Sequence, residues 1–323
     1  MISGYKEERW IEAFGHKEGG KCEEYFFSCD FGKVKYKFIL KIVGEIDGIK
    51  YYDIASYRGA AGPYIVEVEE GKEKQLIELY IDDFSKYCIQ NNIIAEFAKL
   101  DPWDQYAELI RETLQAEYYG NYYCNDLTRD FWKQDYNRNA KRGVKKAIAG
   151  GVKVEFDFEG KTISQFIELY KNTENKFNTS DYYRFTNDDI RKVFDVYKED
   201  AFLINAVMNH NIITSVLVIM GPEIAHYLFL GSDANPEYSK LQANCLLTYE
   251  TSLYCQKKGK KLLDMGGGKS GGGIERFKRN FISDDGVWKY YVLKKIHNPD
   301  IYNRFVARKK EIKNDKFFPL YRG

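Results

Sequence analysis

Three apolar runs in the second half of the chain decide the fold: AFLINAVMN (201–209), IITSVLVIM (212–220) and IAHYLFLG (224–231). They contain many β-branched or aromatic residues, and short turns with Asn, Gly or Pro separate them. Runs of this kind with tight connections are typical of antiparallel strands. We therefore predict a three-stranded meander across residues 201–231.

The residues after the meander predict a helix and then one more strand. Apolar residues recur there at helical spacing, at Leu246, Tyr249, Leu253 and Tyr254. Gly259 supplies a helix stop, and LLDM (262–265) has the character of a short buried strand that opens into three glycines. A strand, a helix and a further strand in this order predict a parallel crossover.

A fainter version of the same order fills the first half of the chain. YKFILKIV (36–43) and IKYYDIAS (49–56) flank a turn, a helix is predicted from about Glu73 to Asn91, and IIAEFAKL (93–100) is the strand that follows. The repetition predicts a structural duplication with mixed α/β sheets. We place the boundary near residue 150, which gives domains 1–150 and 151–323, with the extreme C-terminus packing back on the first.

Composition excludes several classes of protein. The chain has 323 residues, 44% of them hydrophobic, and a net charge of +1, so it is not disordered, fibrous or a general polyanion binder. No apolar run reaches membrane-spanning length and no secretory signal precedes the domains, so we expect a cytoplasmic protein. Six cysteines without a C-x-x-C pair predict reduced, mostly packed thiols and no metal site.

The glycine tract is the first candidate site. DMGGGKSGGGIERFKRNF (264–281) contains Gly-Lys-Ser, but a phosphate-binding P-loop needs a glycine where Leu263 stands. We therefore expect the glycines to let the backbone turn sharply past a ligand or a neighbouring strand. The basic and aromatic residues 276–281 either neutralise a phosphate or oxyanion or form a solvated turn anchored by two phenylalanines.

A basic helix, predicted over 137–148, is the second candidate. Arg138, Lys141, Arg142 and Lys145 recur at intervals of three and four residues and form one cationic stripe. The stripe either binds the phosphates of a nucleotide-activated substrate or a short RNA, or is an ordinary solvated face. Some tyrosines are candidates for stacking on sugars or bases, namely Tyr57, Tyr64, Tyr182 and Tyr183.

Short sequence pieces in a fixed order carry a family resemblance. They are Gly62-Pro63-Tyr64, Leu100-Asp101-Pro102, Asp126-Leu127-Thr128, Arg138–Ala147, Tyr227–Ser232, Ala243-Asn244 with Leu246-Leu247, Asp264–Gly268, and Arg276-Phe277-Lys278 with Phe281. The ordered set resembles the Fem family, the bridge-forming aminoacyltransferases of peptidoglycan synthesis. It is also similar to the wider group of acyltransferases built from two tandem GNAT-like domains.

The resemblance implies an N-acyltransferase that moves an acyl or aminoacyl group from an activated donor to a primary amine. Lys278, in the family's Phe-Lys position, is the candidate to contact the donor carbonyl or a phosphate. Asp101, in the family's Asp-Pro position, is the candidate to orient the amine or accept its proton. The predicted substrate-binding residues are Tyr64, Arg138, Arg142, Tyr227, Lys240, Gln242, Asp264, Gly266, Gly267, Gly268 and Arg276.

Donor and acceptor follow from the resemblance only in outline. EYSKLQA (237–243) lacks the glycines of the usual coenzyme A loop, and no coiled-coil arm for charged tRNA is visible. Acyl-CoA and aminoacyl-tRNA both remain open, and the lack of excess positive charge slightly favours acyl-CoA. The implied acceptor is a sugar-nucleotide or lipid-linked cell-envelope precursor. The alternative is a non-catalytic module on the same fold that binds a sugar nucleotide or RNA.

Overall fold

The computed structural model describes residues 1–177, 183–268, 270–309, 311 and 314–323. The chain forms two compact units, and the path of the chain alternates between them. Unit 1 comprises Met1–Phe14 and Gly120–Trp288, and unit 2 comprises Gly15–Tyr119 and Lys289–Gly323.

Strands and helices alternate along the chain. The strands are β1 (Lys21–Cys29), β2 (Gly32–Ile46), β3 (Ile49–Ala55), β4 (Tyr64–Val68), β5 (Ile93–Lys99), β6 (Glu117–Asp126), β7 (Lys153–Asp157), β8 (Ala201–Met208), β9 (Asn211–Met220), β10 (Ile224–Ser232), β11 (Leu262–Gly267) and β12 (Val287–Ile296). The helices are α1 (Glu8–Phe14), α2 (Glu73–Gln90), α3 (Ala107–Thr113), α4 (Phe131–Gln134), α5 (Arg138–Ala149), α6 (Ile163–Phe177), α7 (Asn187–Tyr197), α8 (Pro236–Lys240), α9 (Ala243–Lys257), α10 (Gly273–Lys278) and α11 (Pro299–Ala307).

Unit 2 is built on a mixed sheet in the order β1-β2-β3-β5-β12, with β4 beside β2. β3 and β5 pair in parallel, whereas the other neighbours are antiparallel. Helix α2 packs its residues Leu76, Tyr80 and Phe84 against one face of this sheet. Helix α11 and the C-terminal Tyr321 form a second core with Tyr51.

Unit 1 repeats this plan with the sheet order β6-β11-β10-β9-β8-β7. β8, β9 and β10 form the predicted antiparallel meander, because their β-branched and aromatic side chains are buried on both faces. β11 then pairs with β10 in parallel after the crossover through α9. The predicted mixed α/β fold class is confirmed.

The units divide the chain elsewhere than the sequence suggested. The boundary was expected near residue 150, but unit 1 begins again at Gly120. The reason is that α5 packs Ala140, Val144 and Ala147 into the same core as Leu246 and Leu247 of α9. The basic helix therefore belongs with residues 151–288, and Lys289–Gly323 belong with Gly15–Tyr119.

Two further findings concern side-chain chemistry and hydropathy. All six cysteines are free; four of them are buried, Cys29 is half-buried and Cys22 is exposed. Among the described residues, no helix combines the length and apolar character needed to cross a membrane.

Helices α5 and α9 approach closely at one glycine. Gly143 is buried, and a Cβ added there would lie 2.5 Å from Cys245 Sγ and 2.9 Å from Cys245 Cβ. Cys245 is itself buried, which raises the pKa of its thiol to about 11. This contact therefore requires a residue without a side chain on α5.

We expect Gly143→Ala to destabilise the protein by about 1–3 kcal/mol, because overpacking outweighs the gain in helix propensity. Urea unfolding measures the loss, and Lys145→Ala, on the exposed face of α5, is the matched control with little expected effect. Adding Cys245→Ala should recover part of the loss. A Gly143→Ala protein as stable as its parent would contradict the close contact.

Candidate active site

The parallel ladder between β10 and β11 is short. Only Ile224–His226 pair with Leu262–Asp264, although both strands continue beyond these residues. β10 is irregular between Tyr227 and Phe229, and the β11 pairing with β6 is irregular after Asp264. Ligands in open α/β sheets bind where parallel strands end and part, so this is the first place to seek a site.

Lys278 lies at this strand end. Its Nζ donates a hydrogen bond of 2.5 Å to the carbonyl oxygen of Gly267. Desolvation lowers the pKa of Lys278 to about 8, against a smaller raising effect of Asp264 and then Cys124. The side chain is half-buried. Lys278 is therefore a partly desolvated cation at neutral pH, suited to bind a phosphate or an oxyanion.

Asp264 is held by three neighbouring groups. It is 1% exposed, and its Oδ1 accepts the Gly266 N–H at 2.7 Å. Its Oδ2 accepts the Tyr5 hydroxyl at 3.0 Å and lies 3.1 Å from His226 Nδ1. With these contacts Asp264 supports the turn and is not open to a substrate. His226 is fully buried.

The glycine tract wraps around a carboxylate. Gly266 and Gly271 have φ values of +73° and +72°, which favour glycine. Glu275 accepts the Gly271 N–H at 2.6 Å and the Arg279 Nε–H at 2.7 Å, and these bonds, with that of Arg279 the stronger, lower the pKa of its carboxyl. Lys269, central to the rejected P-loop interpretation, lies outside the described residues.

A cavity of about 560 Å³ adjoins the helix that carries Lys278. It is lined by Asn139, Arg142, Gly143 and Lys146 of α5, by Gln242 and Cys245 at the start of α9, and by Phe277 and Asn280. Two exposed cations and the N-terminus of a long helix thus face one concave space. Such a space suits an anionic ligand with an apolar portion.

The exposed face of α5 carries more cations than the cavity uses. Arg138, Arg142, Lys145 and Lys146 are exposed, and Lys141 is half-buried. Within the ranges the structure describes, none of the four exposed cations has an acidic side chain within ion-pair distance. Asn137 caps the helix by accepting the N–H groups of Asn139 and Ala140.

The structure brings the predicted residues together in two groups. The first group lies at the strand end and contains Asp264, Gly266, Gly267, Gly268 and Lys278. The buried Tyr227 directly follows His226, the last residue of β10 that pairs with β11. Arg142 and Gln242 line the cavity.

Three predicted residues of unit 1 lie outside both groups. Arg138 does not line the cavity, and the exposed Lys240 pairs with Glu237 at 2.6 Å. Arg276 donates to the carbonyl oxygen of Gly271 at 2.8 Å and so braces the glycine tract. Direct contact of these three with a substrate stays a prediction.

Asp101 and Tyr64 belong to unit 2. Asp101 is buried, and its Oδ1 accepts the Trp103 N–H at 2.9 Å across Pro102. Tyr64 is half-buried at the start of β4. Among the other stacking candidates, Tyr57 is buried, Tyr183 is exposed, and Tyr182 lies outside the described residues.

Sequence reasoning missed several residues around the site. Lys146 follows Arg142 by four positions, so helical spacing alone could have added it to the stripe. Cys245 and Phe277 line the cavity through packing that has no sequence signal. Tyr5 reaches Asp264 from a distance of 259 residues along the chain, which no local pattern reveals.

No group of three or more His, Cys, Asp or Glu side chains in the described part of the chain is placed to hold a metal ion. The prediction of a metal-free site stays a prediction.

Comparisons with known proteins agree with this fold. Residues 90–212 match the FemAB family. The crystal structure of FemX is similar, with 13% identity over 92% of this chain and 93% of that one, and a TM-score of 0.66. A tandem GNAT protein from the clavulanic acid biosynthesis pathway shares 9% identity over 92% of this chain and 98% of its own, with a TM-score of 0.50.

A third similar structure is the C-terminal domain of a putative lysylphosphatidylglycerol synthetase from Agrobacterium fabrum. It has 12% identity over 86% of this chain and 85% of its own, with a TM-score of 0.53. Comparison with curated proteins gives no match. The Fem-type, double GNAT-like resemblance is confirmed, and the FemAB match together with the acyltransferase fold supports the predicted transferase class.

The low pKa of Lys278 predicts a pH-dependent stability. The unfolded chain, with a lysine pKa of about 10.4, binds this proton more tightly than the folded protein, so the Lys278 contribution to stability rises from about pH 8 to pH 10. We expect Lys278→Met to be more stable than its parent at pH 7, by on the order of 1 kcal/mol after allowance for partial exposure. The difference should shrink at pH 10. Urea unfolding at both pH values measures it, and an equal difference at both would contradict the desolvated environment.

Proposed function

We propose that this chain, a Fem-type double GNAT-like protein by family match and fold, is an N-acyltransferase of cell-envelope synthesis. It transfers an acyl or aminoacyl group from an activated ester or thioester to a primary amine of a sugar-nucleotide or lipid-linked precursor. The observation that carries the proposal is the Lys278 ammonium at the end of the short β10–β11 ladder, beside a cavity with two cations.

The reaction needs an uncharged amine and a stabilised oxyanion. The amine nitrogen attacks the donor carbonyl carbon, a tetrahedral oxyanion forms, the bond from carbon to the donor oxygen or sulfur breaks, and the nitrogen loses a proton. Lys278 is suited to donate a hydrogen bond to the oxyanion, since it is partly desolvated and its Nζ has further N–H groups besides the one on Gly267. Much of the rate comes from positioning the two substrates.

Asp101 is the proposed partner of the amine. It is a buried carboxylate whose Oδ1 accepts the Trp103 N–H, and a carboxylate can accept a hydrogen bond from an amine. In this role it orients the amine or accepts its proton. Because Asp101 also supports a local turn, its charge and its hydrogen bond must be tested separately.

The donor binds, in this proposal, with its phosphates toward Arg142 and Lys146 and its acyl group toward Lys278. A volume of about 560 Å³ suits part of an acyl-CoA or the 3′ end of a charged tRNA. The near-zero net charge slightly favours acyl-CoA. The unpaired cations along α5 support the RNA alternative, because RNA affinity rests on repeated phosphate contacts.

Lys278→Met should lower kcat by about 100-fold while the protein stays folded, because it removes one oxyanion donor.

Asp101→Asn keeps an acceptor for the Trp103 N–H but loses the negative charge, so it should lower kcat without unfolding unit 2. Transfer of radiolabel from acetyl-CoA, or from charged tRNA, to amino-sugar and peptide acceptors measures kcat for Lys278→Met and for Asp101→Asn. If the parent protein binds these ligands but transfers nothing, the chain is a binding module and the proposal is wrong.

Two matched pairs of substitutions on α5 distinguish the donors. Arg142→Ala with Lys146→Ala removes the cavity cations, and Arg138→Ala with Lys145→Ala removes the same charge from the same helix outside the cavity. If the donor is acyl-CoA, only Arg142→Ala with Lys146→Ala should raise the donor KM, by about tenfold. For charged tRNA, both pairs should weaken binding, with a steep loss at higher salt. An unchanged KM in both pairs would exclude this helix from donor binding.

A further inference from the structure

Unit 1 contains a buried polar cluster behind the glycine turn. Its centre is the Asp264 carboxylate, on which the hydroxyl of Tyr5, the imidazole of His226 and the N–H of Gly266 converge. All three side chains are at least nine-tenths buried. A carboxylate with this many donors is fixed in orientation as well as charge.

A backbone contact from the N-terminal segment determines which ring nitrogen of His226 carries the proton. The Gly4 N–H donates to His226 Nε2 at 3.1 Å, so Nε2 must hold a lone pair. The proton of the neutral ring then lies on Nδ1 and is donated to Asp264 Oδ2 at 3.1 Å. Gly4 and Tyr5 thus act on Asp264 together, one through the histidine and one directly.

Asp264 in turn fixes the backbone next to Lys278. Its bond to the Gly266 N–H closes a tight turn at a residue with φ of +73°. The next carbonyl, that of Gly267, is the acceptor for Lys278 Nζ. The chain of contacts therefore runs from the N-terminal segment to the ammonium group through one carboxylate and one turn.

We propose that Tyr5 and His226 are positioning residues, which hold Asp264 so that the glycine turn fixes the Lys278 ammonium for the transfer reaction. Neither side chain touches the reacting groups, and both act through Asp264. The catalytic part of this inference rests on the proposed function. The positional part concerns the turn and Lys278 alone, and it can be measured without turnover.

Several titratable groups face the two residues involved. Lys278 faces Asp264 of β11 and Cys124 of β6, and Asp264 faces His226 of β10 and Tyr5, which also lies near Tyr122 and Cys124 of β6. On its own helical stretch, Lys278 has Glu275, Arg276 and Arg279 as neighbours, of which Glu275 and Arg279 pair with each other. Burial first, and Asp264 next, raise the pKa of Tyr5 well above its usual range, so its hydroxyl stays a donor.

Tyr5→Phe in the full chain is the test. The ring keeps its packing against Trp10 and His226, at centroid distances of 4.5 and 4.3 Å, and the hydroxyl that donates to Asp264 is lost. A looser turn exposes Lys278 to water, and a less satisfied Asp264 attracts it more strongly. Both effects raise the pH midpoint of Lys278 acetylation by acetic anhydride, by about one unit. We also expect kcat to fall by about tenfold, with little change in KM.

Tyr197→Phe is the matched control. Tyr197 is a buried tyrosine of the same unit whose hydroxyl has no hydrogen-bond partner among the described residues. It should leave both the Lys278 midpoint, read by peptide mass spectrometry, and kcat unchanged. A Tyr5→Phe midpoint and kcat equal to those of the parent would overturn the inference.

The outcomes separate this inference from the proposed function. If Lys278→Met retains full activity, the catalytic role of Lys278 fails, yet a shifted midpoint in Tyr5→Phe would still show that Tyr5 positions Lys278. If Lys278→Met is inactive and Tyr5→Phe behaves like its parent, the proposed function stands and the positioning role of Tyr5 is wrong. His226→Gln, which can keep one donor toward Asp264, should fall between parent and Tyr5→Phe in midpoint; a value identical to the parent would remove His226 from the role.

Discussion

The end of the parallel ladder at Asp264 is the constraint on which the rest of unit 1 depends. As long as β10 and β11 pair, their backbone groups satisfy each other, and beyond this point the chain needs other partners. The carboxylate of Asp264 supplies one of them by taking the Gly266 N–H. In the turn that follows, the Gly267 carbonyl accepts a hydrogen bond from Lys278, so one buried acid links the sheet to this ammonium group.

The site combines two kinds of electrostatic environment. The cations on α5 are exposed, and water screens them, so they suit a mobile, highly charged ligand group. Lys278 is partly desolvated, and a hydrogen bond from it to a developing negative charge is stronger there than in water. Phe277, next to Lys278 in the chain, lines the cavity, so in the proposed function adjacent residues serve donor binding and the reaction.

Elements with strong local patterns were predictable from the sequence. The meander, α9 and β11 follow from β-branched runs, helical spacing and a glycine stop, and in the first half β3, α2 and β5 follow from the same signals. The resemblance added the Fem-type fold and pointed to Lys278. The division into units was not predictable, because α5 is polar on one face and its packing partner α9 lies about a hundred residues away.

The parts of the site formed by residues close together in sequence were predictable, and the contacts between residues far apart in sequence were not. Gly266, Gly267 and Lys278 lie within one short stretch, and the glycines alone indicated a sharp turn. The side chains of Asp264 and Arg276 both hydrogen-bond to backbone of the glycine tract, a use that the sequence did not indicate. Such internal use cannot be distinguished from ligand binding without coordinates, because the same polar atoms serve both purposes.

The position of the first fourteen residues has a consequence for the order of folding. They belong to unit 1, yet Asp264, the partner of Tyr5, follows 259 positions later in the chain. During synthesis from the N-terminus, this segment emerges long before its partners, which include Asp200, His226 and Asp264. Completion of unit 1 is therefore a late event, and a ribosome-bound chain stalled before β11 would lack the carboxylate partner of Tyr5.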